Sequence, residues 1–115
     1  MQFLWNNAGK KDINKNLVIY EICHNSHGLP IDGAIAELNG IFGPKINKTF
    51  TELFFIISGT LVIEEDEKKY ELKERDIYVA SPGKMHTLRG INCTMFISCT
   101  PPFDPSNIEV LSSEQ

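Results

Sequence analysis

The sequence predicts a single all-β domain, a barrel or sandwich of short antiparallel strands. Three observations lead there. The apolar runs are short, rich in β-branched and aromatic residues, and bounded by turn formers. They follow one another at the close spacing expected of sandwiches and barrels. Helical periodicity is hard to find anywhere along the chain.

The expected strands are Leu17 to Cys23, Gly33 to Leu38, Leu53 to Ile57, Thr60 to Glu64, Lys69 to Leu72, Asp76 to Val79, His86 to Leu88 and Cys93 to Cys99. Between them, Ser58-Gly59 reads as a tight reversal, because glycine accepts a positive φ. Ser81-Pro82-Gly83-Lys84 has type II turn chemistry, with Pro setting φ at the second position and Gly free to be left-handed at the third. The mixed-sign run Glu64 to Lys69 reads as a solvated turn, with Glu65 to Lys68 as the hairpin tip. The prolines of Pro101-Pro102-Phe103-Asp104-Pro105 lack amide donors and end the sheet. Ser106 to Leu111 then reads as one helical turn.

Strand alternation assigns faces. Glu52, Phe54 and Ile56 share one side, and Leu53, Phe55 and Ile57 the other. Both sides are apolar beyond Glu52, which predicts a central strand covered on both faces, by the barrel interior and by another sheet or subunit. His86 and Leu88 share a face.

Composition bounds the function. A chain of 115 residues with 42% apolar and 23% charged residues buries one core without disulfide staples. A net charge of -4, with no Lys/Arg cluster, opposes nucleic-acid binding, which needs a basic face to displace counterions. No apolar stretch approaches the ~20 residues of a membrane span. With no secretory leader pattern either, the expected location is the cytoplasm. The three cysteines, Cys23, Cys93 and Cys99, have no metal-knuckle spacing and read as reduced, partly buried thiols.

Two segments carry a resemblance. Thr51-Glu52-Leu53-Phe54-Phe55-Ile56-Ile57-Ser58-Gly59 resembles the end of the first cupin motif, a Glu seven positions before a Gly across an aromatic-rich strand. Asp76-Ile77-Tyr78-Val79-Ala80-Ser81-Pro82-Gly83-Lys84-Met85-His86 resembles the second, ending in Pro-Gly, two residues, then His. Their order and the hairpin between them also fit, and Cys99 to Pro105 is similar to the closing segment of many one-domain cupins. The chain thus resembles the small single-domain (cupin_2-like) cupins over about its C-terminal two-thirds. The resemblance implies a double-stranded β-helix, or jelly-roll barrel, of two antiparallel sheets. Residues 1–15 would be an N-terminal arm, 33–100 the barrel core with both motifs, and 101–115 a tail.

The family's usual site is a divalent metal on two His and a Glu of the first motif and one His of the second. Here the His-x-His pair is missing. The family spacing puts Lys45 and Asn47 at those positions, while Glu52 and His86 match. An ammonium has donors only and cannot ligate a cation. Arg75 also stands where a Gly is usual. The candidate ligand-binding residues are therefore Lys45, Asn47, Glu52, Tyr78 and His86, with Tyr78 read as packing ahead of a catalytic acid. Glu52 and His86 are the candidate catalytic pair and, if a metal binds, its ligands. Both are expected to face one enclosed hollow from different strands. His24 and His27 lie in a polar, Gly-terminated loop and form the reserve of imidazoles.

These residues suggest a barrel that binds a small polar or anionic metabolite, with isomerase- or epimerase-like activity as an extension. The alternative is a divalent-metal enzyme (Fe, Mn, Ni or Zn; a dioxygenase, isomerase or lyase) with an altered ligand set. A homodimer is expected, in which Phe3 and Trp5 of the arm cross to the partner or cap one barrel end.

Overall fold

A computed structural model describes residues 1–24 and 27–111. Eight strands form: β1 (Gly9–Asp12), β2 (Leu17–Cys23), β3 (Gly33–Asn47), β4 (Thr51–Glu65), β5 (Lys68–Leu72), β6 (Ile77–Ala80), β7 (Met85–Thr100) and β8 (Ile108–Val110). Two 3-10 turns, Trp5–Asn7 and Pro105–Asn107, complete the described structure. The hydrogen-bonded order is β1-β2-β3-β7-β4-β5, with β6 on β4 and β8 on β3, and every pairing is antiparallel.

β2 has the predicted bounds. The main departure is continuity, because what the sequence separates into short strands runs on as long ones. Leu53 to Ile57 and Thr60 to Glu64 both belong to β4, and His86 to Leu88 and Cys93 to Cys99 both belong to β7. Ser58-Gly59 is accordingly a corner rather than a reversal. The β4–β7 register shifts between Ile56 and Ser58 and again between Ser58 and Thr60, and the β3–β7 register shifts between Leu38 and Gly40. At this corner Gly59 has φ +76°, and a Cβ there would lie 2.1 Å from the Asn92 carbonyl oxygen. β3, β4 and β7 thus bend together, folding one sheet into two facing layers.

One layer holds β1, β2, the start of β3, the end of β7, the start of β4, and β6. The other holds β8, the end of β3, the start of β7, the end of β4, and β5. Between them lies the core. Ala36, Leu38, Phe54, Ile56, Leu61, Ile63 and Met95 are essentially inaccessible to solvent. Phe54 and Ile56 come from the first layer and Leu61 and Ile63 from the second, so β4 supplies both walls. The predicted inward face of Glu52, Phe54 and Ile56 is buried, as are His86 and Leu88.

On the opposite face of β4, Leu53 and Phe55 are only half-buried and Ile57 is 40% exposed, so among the described residues no second sheet covers them. The arm packs on its own chain: the Trp5 ring lies 5.0 Å from Tyr20 and the Phe3 ring 4.9 Å from His27.

The turns follow their chemistry. Gly83 has φ +82° in the Pro82-Gly83 turn. The β4–β5 hairpin turns through Asp66 (φ 50°) and Glu67 (φ 66°), the two left-handed residues of a type I′ loop. Glu65 lies inside β4 rather than in that loop. The tail corrects a second expectation. After the Pro105–Asn107 turn it forms β8, pairing Lys45 with Val110 and Asn47 with Ile108. One aspartate pins the tail's approach: Asp32 accepts from the Cys99 amide and the Phe103 amide, each at 2.7 Å.

Arg75, where the family pattern has glycine, adopts φ +75° and donates its amide to the Ile56 carbonyl at 2.8 Å. A side chain in the left-handed region costs about 1–2 kcal/mol, offset in part by glycine's greater unfolded-state entropy. Arg75→Gly is expected to stabilise the protein by about 0.5–1 kcal/mol, read as a higher urea midpoint at unchanged slope. In the opposite direction, Ile63→Ala should cost about 2–5 kcal/mol by the same measurement.

Candidate functional site

The site begins with an irregularity in β3. Phe42 and Lys45 are three residues apart, so on a regular strand they would point to opposite faces. The β3–β7 register shifts between them, at Gly43-Pro44. Gly43 has φ +110°, and a Cβ there would stand 2.8 Å from the His86 carbonyl oxygen. This bulge turns both Phe42 and Lys45 inward. Asn47, two residues further on, keeps the same face and is fully buried.

Lys45 crosses from one layer to the other. Its Nζ donates to Glu52 Oε1 at 2.6 Å, and Asn47 Nδ2 donates to the same oxygen at 2.9 Å. The side chains of Lys45 and Glu52 are 5% and 8% exposed, so the ion pair is desolvated. The Lys45 ammonium also lies 5.6 Å from the Phe54 ring centre and 5.9 Å from that of Phe42. Glu52 Oε2 accepts no hydrogen bond among the described residues. The buried side-chain atoms left without partners are Asn47 Oδ1 and His86 Nδ1.

Lys45 and Glu52 line a cavity of about 570 Å³. Its walls are mainly apolar, including Phe42, Phe54, Leu88, Met95 and Ile97, and the tail closes one side through Phe103, Ile108 and Val110. Asp32, Cys23 and Cys99 are its other inner polar residues, and the Lys11–Glu21 ion pair (2.9 Å) stands at its edge with His24. Burial first, then the charges of Glu52 and Asp32, push the Cys99 thiol up, against the pull of Lys45. Burial and then Asp32 also raise Cys23. Both thiols are therefore neutral at physiological pH. Cys93, in the core, is pushed up to about 11 by burial.

His86 and Tyr78 are not among the residues lining this cavity. His86 is 1% exposed and is the cross-strand neighbour of both Lys45 and Glu65. Its Nε2 lies 2.7 Å from Glu65 Oε1, and the Tyr78 hydroxyl donates to that oxygen, also at 2.7 Å. Lys84 Nζ stands 3.6 Å from Glu65 Oε2. The Tyr78 bond, more than any other factor, holds the Glu65 carboxyl below its ordinary range; burial opposes this, and His86 and Lys84 add to the lowering. Tyr78 is raised, by burial first and then by Glu65. An ionised carboxylate only accepts, so His86 Nε2 must carry the proton. In neutral His86, Nδ1 is then an acceptor.

The five predicted ligand residues thus divide into two clusters. Lys45, Asn47 and Glu52 form one, at the cavity. Tyr78 and His86 form the other, around Glu65. Glu52 and His86 both point into the barrel, yet they have separate partners, and only Glu52 lines the hollow. Glu65 was hidden by its charged surroundings. Its signal was the alternation Leu61, Ile63, Glu65, which continues the inward face of β4. Asp32 offered no pattern in the sequence. His24 and His27 stack on each other with ring centres 4.4 Å apart.

The donor set does not fit the divalent metal that the resemblance implies. An ammonium and an amide nitrogen occupy Glu52 Oε1, and His86 is engaged with Glu65. No group of three or more His, Cys, Asp or Glu is placed to hold a metal ion among the described residues.

Several solved structures share this architecture. The chain is similar to KdgF from a Halomonas species, with 14% identity over 92% of this chain and 99% of that one and a TM-score of 0.79. It is similar to Pac13, described as a nucleoside dehydratase, with 11% identity over 96% and 90% of the two chains and a TM-score of 0.82. A Streptomyces variant of that protein was solved with uridine. Ectoine synthase from P. lautus follows, with 17% identity over 86% and 78% and a TM-score of 0.72. No protein-family model matches the chain, and no curated protein sequence matches it. At these identities the likeness establishes the fold: the chain is an antiparallel cupin-fold barrel whose sheet is not closed.

Two outcomes test the polar clusters. Lys45→Met leaves Glu52 buried and unpaired, and should cost about 3–5 kcal/mol. Lys45→Met combined with Glu52→Leu should recover most of that loss, a non-additivity read directly from a double-mutant cycle in urea. Glu65, with its folded pKa lowered, adds stability that is full above its unfolded value of about 4.3 and lost as pH falls through the folded value. Melting temperatures recorded from pH 6 down to acid should therefore fall more steeply for the parent than for Glu65→Gln.

Proposed function

We propose that the barrel binds a small organic molecule whose apolar body lies against Phe54, Leu88, Met95 and Ile97 and whose polar end meets Lys45 and Glu52. One observation carries this reading: a desolvated ion pair opens onto a cavity of about 570 Å³ whose remaining walls are mainly apolar. Cavities of this size and lining suit metabolite-sized ligands, with few polar groups fixing orientation. A cupin-fold neighbour solved with uridine is consistent with the reading.

A second reading, turnover, draws on the same pair. A carboxylate and an ammonium side by side at a dry cavity wall can move a proton and stabilise the charge that develops. In that reading Glu52 takes the proton from a substrate carbon next to a carbonyl, and Lys45 steadies the resulting oxyanion. His86, held by Glu65 and Tyr78 beside Lys45, is a positioning residue. Reactions of isomerase or epimerase type fall within this chemistry.

We also propose a homodimer, formed through the outer face of β4 and β6 rather than by exchange of the arm. Leu53 pairs with Val79 and Phe55 with Ile77, and Ile77 and Val79 are 55% and 52% exposed. A two-fold axis would lay this apolar patch on its own copy. No helix among the described residues is long and apolar enough to cross a membrane.

A metabolite library screened by thermal shift tests the binding reading. Compounds that raise the parent's melting temperature should lose their effect in Ile97→Trp, which fills the cavity. Shifts of equal size in the filled variant would reject the barrel as the binding site. For the dimer, Ile77→Glu with Val79→Lys should halve the mass seen by light scattering, and a parent that is already monomeric would dismiss the interface.

A further inference from the structure

The polar end of the ligand can be specified further, granting that the barrel binds a small molecule at all. Charge is counted first. Among the described lining residues the lysines are Lys11 and Lys45, and the Lys45 charge is already matched by Glu52 at 2.6 Å. The rim pair Lys11–Glu21 cancels itself. What remains is Asp32, 9% exposed, an inner lining residue with no side-chain cation on it; its two bonds come from the neutral amides of Cys99 and Phe103. The inner wall therefore carries one negative charge in excess.

Hydrogen-bonding capacity is counted next. Lys45 and Asn47 both deliver their bonds to Glu52 Oε1. Glu52 Oε2 receives none among the described residues, and Glu52 lines the cavity. The wall thus presents an unfilled carboxylate acceptor in an apolar hollow. Such an acceptor is costly to leave unmet once a ligand has displaced water. An incoming carboxylate or phosphate would set charge against charge there, at low dielectric.

We propose that the site selects a non-anionic head group that donates a hydrogen bond to Glu52 Oε2, such as a hydroxyl, phenol or amide N–H, on an apolar body, and that it excludes carboxylates and phosphates. The Lys45 ammonium is the element that holds Glu52 aligned for this task. It does not bind an anionic head group of the incoming ligand.

Three probes with one naphthalene body separate the possibilities by titration calorimetry at pH 7 on the intact chain: 2-naphthol, which donates; 2-methoxynaphthalene, which does not; and 2-naphthoate, which is anionic. 2-Naphthol should bind at least about tenfold more tightly than either of the others. In Glu52→Gln the ammonium is left uncompensated, and the preference should turn toward 2-naphthoate. If that variant does not fold, Lys45→Met combined with Glu52→Leu, which removes the acceptor together with its cation, should bind 2-naphthol and 2-methoxynaphthalene equally. Naphthoate binding as well as naphthol to the parent would overturn the charge assignment and leave the barrel-binding reading standing. Methoxynaphthalene binding as well as naphthol would overturn the donor requirement. Failure of all three probes, with no library compound shifting the parent, would remove the binding reading and this proposal with it.

Discussion

The contact between the Lys45 ammonium and the Glu52 carboxylate organises the interior of this barrel. It spans the two layers, joining the end of β3 to the start of β4. It carries unlike charges into a region where either one alone would be prohibitively desolvated. The bulge at Gly43-Pro44 exists in the same frame, because without it Lys45 would point outward. Asn47 completes the arrangement from the same strand face. Replacement of such a pair by apolar residues is often neutral or stabilising, so its presence is weak support for a purely structural role. The cavity beside it supplies the better reason for keeping charge there.

A second polar bridge crosses the layers nearby. Tyr78 on β6 and Glu65 at the end of β4 meet at one carboxylate oxygen, which His86 also engages. β5 and β6 lie at the edges of their layers, and this bridge fastens the two edges together, with Tyr70 and Tyr78 in ring contact at 5.3 Å. The interior is thus divided. On one side of Phe54 lies an apolar hollow with an ion pair in its wall. On the other lies a compact hydrogen-bonded cluster of Glu65, Tyr78 and His86. That division gives Glu52 and His86 separate partners.

The barrel keeps its fold with a changed interior chemistry. Where the resemblance implies imidazoles and a metal, this chain has an ammonium and an amide. A cation is still present beside the carboxylate, but as a tethered point charge without open coordination positions. The consequences are chemical: Lewis-acid activation is not built into the residues, whereas orientation by hydrogen bonds and proton transfer are.

Much of this was legible in the residues alone. The β-branched runs and the Pro82-Gly83 turn determined an all-β domain, because strand propensity and turn chemistry are local properties, and the resemblance of the segments around Glu52 and His86 to the two cupin motifs implied the barrel type. The family spacing that aligns Lys45 and Asn47 with the missing His-x-His pair likewise put an ammonium among the candidate site residues. The tertiary structure decided the rest. Strand continuity through Ser58-Gly59 depends on neighbouring strands bending together, and β8 depends on an edge of β3 to pair with. Glu65 looked solvated because its sequence neighbours are charged, yet its partners Tyr78 and His86 come from other strands. Asp32 is pinned by amides some seventy residues away in the chain. Partnership inside a folded layer is set by register and closure, which are long-range, and no local pattern encodes them.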